Sequence, residues 1–244
     1  GIIDAEELQS ARDTMGEEEY RQEFLCDWTA AVRGSFYAVE MERVKKEGRI
    51  LNIPHAAALP VDLAFEVGRD DATAIWFVQC VRNEVRLIDY REFRNTSLVE
   101  IITELGRMPY RYGHCYLPHD ANIRELSSGN TRRQLFEECQ LFEVVEVTPV
   151  QKVADGINAA RVLLPMCYFD RVKASEGVDC LENYRKKYDA KSGEFMETPV
   201  HDRYSHGADA FRYLAINYDP LLGDVIERSN ASRLKARDTY VNGP

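Results

Sequence analysis

Three aspartates, at positions 62, 120 and 209, are the residues of this sequence best suited to act together in chemistry. Asp62 lies inside an apolar run, between Val61 and Leu63. An aspartate has poor strand propensity and is costly to bury without a compensating group, of which a metal cation is one. A surface-facing Asp62 on an edge strand is the competing interpretation, and this stretch alone does not decide between the two.

Asp120 and Asp209 stand where a sheet and a helix could bring them close to Asp62. Asp120 follows a predicted strand and Pro118, at the strand end where open α/β sheets bind ligands. Asp209 lies in the first turn of a predicted helix, and Gly207 keeps that turn thin enough to approach the sheet. Each has a simpler interpretation, Asp120 as a turn cap and Asp209 as a partner of the helix dipole.

Three converging carboxylates would suit two divalent cations roughly 3.5–4 Å apart, which activate water and stabilise a phosphoryl transition state. Ligands that are all oxygen favour hard cations, so the pattern indicates Mg²⁺ or Mn²⁺ and argues against zinc.

The elements that must position these aspartates follow from apolar periodicity and turn residues. The predicted strands are 58–65, 72–80, 85–93, 114–117 and 142–147, and the predicted helices of this region are 97–108, 132–139, 152–164, 179–188 and 205–217. Three antiparallel strands followed by alternating helices and strands predict an α/β fold. Its mixed five-stranded sheet has three antiparallel strands, then parallel strands, with helices on both faces.

The chain divides into three predicted parts. Residues 1–48 form a helical N-terminal arm, with helices at 4–15 and 16–28 and a charged, solvent-facing helix at 38–47. Residues 49–218 form the catalytic domain, and residues 219–244 form a polar tail.

Composition narrows the possible functions. The formal net charge of −10 argues against tight autonomous DNA binding, because phosphate contacts come from Lys and Arg. It does not exclude a site whose metals offset local acidity, or a domain that another domain brings to DNA. The six cysteines form no CxxC pair and are expected to be buried free thiols. No apolar run approaches the roughly 20 residues of a membrane span, so we expect a cytoplasmic protein.

The order of elements resembles the ribonuclease-H-like fold, and several motifs are similar to those of the nuclease domain of a tailed-phage terminase large subunit, the DNA-packaging motor. The segment 20–28 also resembles the stretch that links the family's ATPase domain to its nuclease, whereas the chain contains no GxxxxGK[ST] phosphate loop. The matching motifs are Val61-Asp62 with Gly68 and 71–75, then 117–121, 152–161 and 205–213.

The resemblance implies a metal-dependent DNA endonuclease in which Asp62, Asp120 and Asp209 bind two Mg²⁺ or Mn²⁺ ions and are catalytic. Asp71 matches an auxiliary acid after the hairpin turn. Asp202 could assist one metal or hold His206, and we rank it below the three metal-binding aspartates. His206 could also relay protons, although packing is the simpler role.

Several basic residues are candidates for contacts with the DNA backbone. Lys152 could hold a phosphate or a nucleophilic water, and Arg124, Arg132 and Arg133 follow Asp120 around a glycine-containing loop. The partners implied by the resemblance are double-stranded DNA, the terminase ATPase domain, the small terminase subunit and the portal. The implied location is the cytoplasm of the infected bacterial host.

Two other interpretations remain open. An actin-like or sugar-kinase-like ATPase fragment also opens with an Asp-bearing hairpin, but it would need a second half and more glycine-rich phosphate loops. A non-catalytic docking domain of the packaging motor fits the overall acidity, but it leaves the three matching acids without a role.

Overall fold

A computed structural model of the protein describes residues 34–68, 72–124, 129–189 and 191–218. The helices predicted at 4–15 and 16–28, the polar tail and Asp71 lie outside the described residues.

A mixed sheet forms the centre of the molecule. Its strands are β1 (Ile50–Leu51), β2 (Val61–Val67), β3 (Thr73–Val81), β4 (Glu84–Phe93), β5 (Tyr112–Leu117), β6 (Phe142–Val147) and β7 (Cys167–Asp170). Their order across the sheet is β1-β7-β4-β3-β2-β5-β6. β2, β3 and β4 form the predicted antiparallel meander, while β5 pairs parallel with β2 and β6 parallel with β5. This confirms the predicted α/β class with its antiparallel and then parallel strands.

The sheet is wider than the five strands predicted. β7 pairs parallel with β4, and β1 pairs parallel with β7 at the edge. Both strands are short, with two and four residues. Runs of this length show too few alternations for periodicity to identify a strand. The prediction of five strands is therefore wrong in count, although it names the five that surround the site.

Helices cover both faces of the sheet, as predicted. They are α1 (Ala38–Lys46), α2 (Leu98–Leu105), α3 (Arg132–Glu138), α4 (Val153–Leu163), α5 (Ser175–Asn183) and α6 (Ser205–Asn217). One hydrophobic core lies between the sheet and α1, α4, α5 and α6, and a second lies between the sheet and α2 and α3. Along β2, Ala64 faces the first core and Phe65 the second, as expected for a strand buried on both sides.

Local sequence fixes the helix starts near the site. Ser97 and Glu100 form a reciprocal capping box at the start of α2, and Thr131 and Gln134 form one at the start of α3. Each box satisfies backbone N–H groups that the first helical turn leaves without partners. The second box fixes the backbone position of Arg132, the first residue of α3.

Two predicted helices differ from those observed. The helix at 38–47 was expected to face solvent, but α1 buries Met41 and Val44 in the first core, so only one side of it is charged and exposed. The helix expected at 179–188 is α5, which starts and ends earlier. The chain then forms a hairpin of β8 (Lys186–Asp189) and β9 (Glu194–Pro199), separate from the main sheet.

Close backbone approach seats α5 and α6 on the sheet. Trp76 of β3 is fully buried, and its Nε1 donates a 2.8 Å hydrogen bond to the carbonyl of Gly207. A Cβ on Gly207 would lie 2.7 Å from the hydroxyl of Tyr90 and 2.8 Å from Cys180. The glycine therefore allows the start of α6 to lie against β4 and α5, as its position in the sequence predicts.

Substituting Gly177 with alanine should destabilise the fold. A Cβ at this α5 position would lie 2.2 Å from a ring carbon of the buried Trp76. The overlap should lower the free energy of unfolding by about 2 kcal/mol or more, despite the gain in helix propensity. Gly106→Ala is the matched control, because its Cβ would meet its nearest atoms at 3.6 Å. Chemical denaturation measures both, and equal stability of the two variants would contradict the proposed overlap.

Candidate metal centre

Glu66, rather than Asp62, is the β2 carboxylate at the same end of the sheet as Asp120. β2 and β5 run parallel, with Ala64 beside Tyr116. Glu66 lies two residues further along β2 on the same face, so it is level with the chain just beyond Leu117. Asp120 lies there, in the short 3-10 helix His119–Asn122. The carboxyl ends of neighbouring parallel strands are the usual ligand-binding edge of an α/β sheet.

The third carboxylate comes from α6. Asp209 is half-buried. Ala208 and Phe211 pack α6 into the first core, which lies on the face of the sheet that carries Glu66. The pKa of Glu66 is raised to about 8, mainly by burial and also by the negative charges of Asp209 and Asp120. Arg212 and a hydrogen bond from the Tyr213 side chain act in the opposite direction. Asp120 and Asp209 are therefore both close enough to Glu66 to influence the pKa of its carboxyl group.

The arrangement of Glu66 fits a cation ligand. Its Oε2 is buried and has no hydrogen-bond partner. A buried polar atom without a partner is rare and costs free energy. A carboxylate oxygen beside two further carboxylates is the donor set that hard divalent cations such as Mg²⁺ and Mn²⁺ select.

Arginines pair with the two aspartates of the group. Asp209 Oδ1 accepts hydrogen bonds from Arg212 Nε at 3.0 Å and Nη2 at 2.8 Å, and from the Tyr184 hydroxyl at 2.9 Å. Asp120 Oδ2 lies 3.5 Å from Arg132 Nη1. Within the described ranges, no three His, Cys, Asp or Glu side chains are arranged closely enough to hold a metal ion. The two aspartates that influence Glu66 are thus each held by an arginine, Asp120 by Arg132 and Asp209 by Arg212.

The structure does not bring Asp62 to this group. Asp62 lies at the opposite end of β2, four residues from Glu66, or about 13 Å along an extended strand. Its Oδ1 accepts a 2.7 Å hydrogen bond from the backbone N–H of His114. Register shifts here between β2 and β5, and a Cβ on Gly113 would lie 2.4 Å from that oxygen. The backbone amide of His114 is thus the hydrogen-bond donor that meets Asp62, although burial still raises the pKa of its carboxyl group.

The strand boundary explains why Glu66 was missed. The predicted strand ended at Phe65, which placed Glu66 in the turn, whereas β2 continues to Val67. Residues at even positions from 62 to 66 share one face of the strand. The rule that ligands bind at the carboxyl ends of parallel strands, applied to β2 as it was to β5, would have identified Glu66.

Asp202 and His206, two of the lower-ranked candidates, both have structural partners. Asp202 Oδ1 accepts a 2.9 Å hydrogen bond from the N–H of Tyr204, and its Oδ2 lies 3.6 Å from Arg185. These contacts shape the turn that leads into α6. His206 is buried, with its ring 5.4 Å from that of His201. Asp71 lies outside the described residues, so its role stays a prediction.

The basic candidates differ in exposure. Arg132 is largely buried and donates to the carbonyl of Val67 at 3.2 Å, so it links β2 to Asp120. Arg133 is exposed and pairs with Glu137 at 2.7 Å. Arg124 and Lys152 are also exposed, and Lys152 precedes the first turn of α4. Arg124, Arg133 and Lys152 are accessible to a nucleic acid, and Arg132 mainly supports Asp120.

Two further predictions concern the whole chain. The cysteines at 80, 115, 139, 167 and 180 are free, and those at 115, 167 and 180 are buried, as predicted for this residue type. Among the helices of the described residues, none is both long and apolar enough to cross a membrane.

Comparison with solved structures identifies the fold. The large terminase of the thermophilic bacteriophage D6E matches with a TM-score of 0.53 and 16% identity, over 75% of this chain and 45% of that one. The P22 large terminase nuclease domain matches with a TM-score of 0.52 and 15% identity, over 70% and 88%. The large terminase nuclease of thermophilic phage G20c with bound cobalt matches with a TM-score of 0.51 and 12% identity, over 76% and 98%. No protein-family model and no curated protein matches the chain.

The mixed sheet with its two helical layers therefore has an α/β fold of the kind found in these solved terminase structures. Within that class, the chain has the fold of large-terminase nuclease domains. It spans about half the length of the full-length large terminases that it matches.

Proposed function

We propose that this chain contains the endonuclease domain of a DNA-packaging terminase, and that it hydrolyses phosphodiester bonds of double-stranded DNA with two Mg²⁺ or Mn²⁺ ions. One observation carries the proposal. Glu66 presents a buried oxygen without a partner at the carboxyl end of β2, beside Asp120 and Asp209. The fold supports it, because the solved neighbours include terminase nucleases with bound cobalt and with bound magnesium.

In this proposal Glu66, Asp120 and Asp209 hold the cations. Divalent cations bound there would supply an activated water and stabilise the charge of the phosphoryl transition state. Arg132 holds Asp120 beside the end of β2, since it also bonds to Val67. Burial by α6 limits the access of bulk water to Glu66, which strengthens the interaction between its carboxylate and a cation.

DNA recognition in the proposed reaction is directed at the backbone. Arg124, Arg133 and Lys152 are exposed cations suited to phosphates, and no pattern in the sequence suggests the reading of base edges. We therefore propose cutting with little sequence specificity. Because the net charge is −10, the isolated chain should bind DNA weakly. Position and timing would come from the ATPase domain, the small terminase subunit and the portal, in the cytoplasm of the infected bacterium.

Plasmid nicking tests the proposed activity. The 244-residue chain should convert supercoiled plasmid to nicked and linear forms with Mn²⁺ or Mg²⁺. Excess chelator should stop the reaction, because in the proposed mechanism the bound cations activate the water and stabilise the transition state. Heat-inactivated protein with the same metal is the control. Nicking that continues in chelator would exclude a metal-dependent mechanism. An inactive chain that still binds a portal or an ATPase ring would favour the non-catalytic docking domain.

A further inference from the structure

We propose that Arg212 and Tyr184 are positioning residues for metal binding, because they hold one oxygen of Asp209 and leave the other as the ligand oxygen. The inference rests on the proposed function and concerns residues that the family resemblance did not single out. The hydrogen bonds of Asp209 are distributed unequally between its two oxygens.

Three donors converge on a single atom. Arg212 Nε, Arg212 Nη2 and the Tyr184 hydroxyl all bond to Asp209 Oδ1, at 3.0, 2.8 and 2.9 Å. An arginine facing a carboxylate commonly forms two parallel bonds, one to each oxygen. Here both N–H groups go to the same oxygen, so neither occupies Oδ2. The carboxylate is thereby fixed in orientation while one of its oxygens stays available.

The two residues that supply these donors are themselves firmly held. Arg212 is 8% exposed, and Tyr184 is 1% exposed. Burial alone would lower the pKa of Arg212, but the charge of Asp209 raises it, so the guanidinium stays charged. Gly156 of α4 provides space, because a Cβ there would lie 3.3 Å from Arg212 Nη1. A buried, charged arginine in a fitted space can fix the geometry of its partner.

The direction in which metal affinity changes when Arg212 is removed separates a positioning role from a purely electrostatic one. A guanidinium close to a cation site repels the cation, so if Arg212 acted only through its charge, its removal would tighten metal binding. If Arg212 fixes Asp209, its removal weakens metal binding, because the ligand becomes free to rotate away. Tyr184 gives an independent answer, since the loss of its neutral hydroxyl changes no charge.

Titration calorimetry of the 244-residue chain with Mn²⁺ alone, without DNA, tests the inference. Arg212→Met should weaken Mn²⁺ binding by about tenfold or more, the usual effect of removing a group that orients a metal ligand. Tyr184→Phe should weaken it by a smaller factor, about threefold or more. Glu66→Gln should abolish Mn²⁺ binding at this site. The heat of binding that is lost in this variant is therefore the heat that the site contributes.

Matched controls separate positioning from a general loss of stability. Arg49 is a buried arginine that donates to the carbonyls of Leu164 and Cys167, and the buried Tyr112 hydroxyl donates to the carbonyl of Leu105. Arg49→Met and Tyr112→Phe remove comparable buried hydrogen bonds elsewhere in the fold and should leave Mn²⁺ affinity unchanged. Circular dichroism confirms folding, and Tyr184→Phe keeps the test decisive if Arg212→Met does not fold.

Each outcome has a clear meaning. Wild-type affinity or tighter binding in Tyr184→Phe, or tighter binding in a folded Arg212→Met, would overturn the positioning role while leaving the metal site intact. Equal weakening in the control variants would also overturn it. No Mn²⁺ binding by the wild-type chain would instead overturn the proposed metal site, and the positioning role with it.

Discussion

Replacing Glu66 with glutamine should reduce the rate of metal-dependent plasmid nicking on the order of 10³-fold, whereas Asp62→Asn should remain within a few-fold of wild type. A metal ion contributes several kcal/mol to stabilising a phosphoryl transition state, and each 1.4 kcal/mol or so corresponds to tenfold in rate. Glutamine keeps the size of Glu66 but removes the charge that holds the cation. The two variants are well matched, because Glu66 and Asp62 lie on the same face of β2.

Asp62→Asn is a fair control because Asp62 lies at the other end of β2 from Glu66 and has its own hydrogen-bond donor, the His114 amide. Asparagine retains an oxygen that can accept the bond from the His114 N–H, so the β-bulge should persist. The two variants are compared as initial rates at saturating Mn²⁺. An inactive Asp62→Asn beside an active Glu66→Gln would restore the assignment made from the sequence and refute the one made from the structure.

The same glutamate should make the stability of the metal-free protein depend on pH. The folded pKa of Glu66 is raised to about 8, mainly by burial, from an ordinary value of 4.5. Below pH 4.5 both states hold the proton and stability is complete. Between pH 4.5 and 8 the unfolded chain releases the proton first, so stability falls as pH rises. Glu66→Gln lacks this titration and should exceed wild type by on the order of 3 kcal/mol at pH 8.

Chemical denaturation in chelator at pH 5 and pH 8 checks this dependence. The difference between Glu66→Gln and wild type should be small at pH 5 and large at pH 8. Other titrating groups occur in both proteins, so they largely cancel in the difference. Glu104→Gln, at an exposed position on α2, is the control and should show no such trend. A difference that is equal at the two pH values would show that Glu66 ionises normally in the folded protein.

The sequence is informative where residues repeat with a clear period. The meander β2 to β4 and the parallel strands β5 and β6 are long enough to show alternation or buried runs, so their order indicated the fold class. Asp120 and Asp209 were found because a strand end and a helix start carry local signals, namely Pro118 and the thin turn at Gly207. Each of those two acids lies near enough to Glu66 to raise the pKa of its carboxyl group.

The sequence is less informative where tertiary contacts decide. β7 has four residues and exists because β4 offers it an edge, which no local pattern encodes. Asp62 looked unusual because its compensating group, the His114 amide, is 52 positions away in the chain. The predicted strand ended two residues before the end of β2, so the sequence indicated Asp62 where the structure leads us to propose Glu66. Strand ends are set by pairing with neighbours, so this is the scale of error to expect.

Phe36 and Tyr37 have a consequence for how the protein can be shortened. These two aromatic residues precede α1, and their rings lie 5.1 and 5.7 Å from the ring of Tyr184, whose hydroxyl bonds to Asp209. A chain trimmed to begin at residue 49, the start suggested by sequence, would lose both rings and leave a hydrophobic hollow beneath Tyr184. The packing that supports Asp209 through Tyr184 therefore begins in residues that the sequence alone assigns to the N-terminal arm.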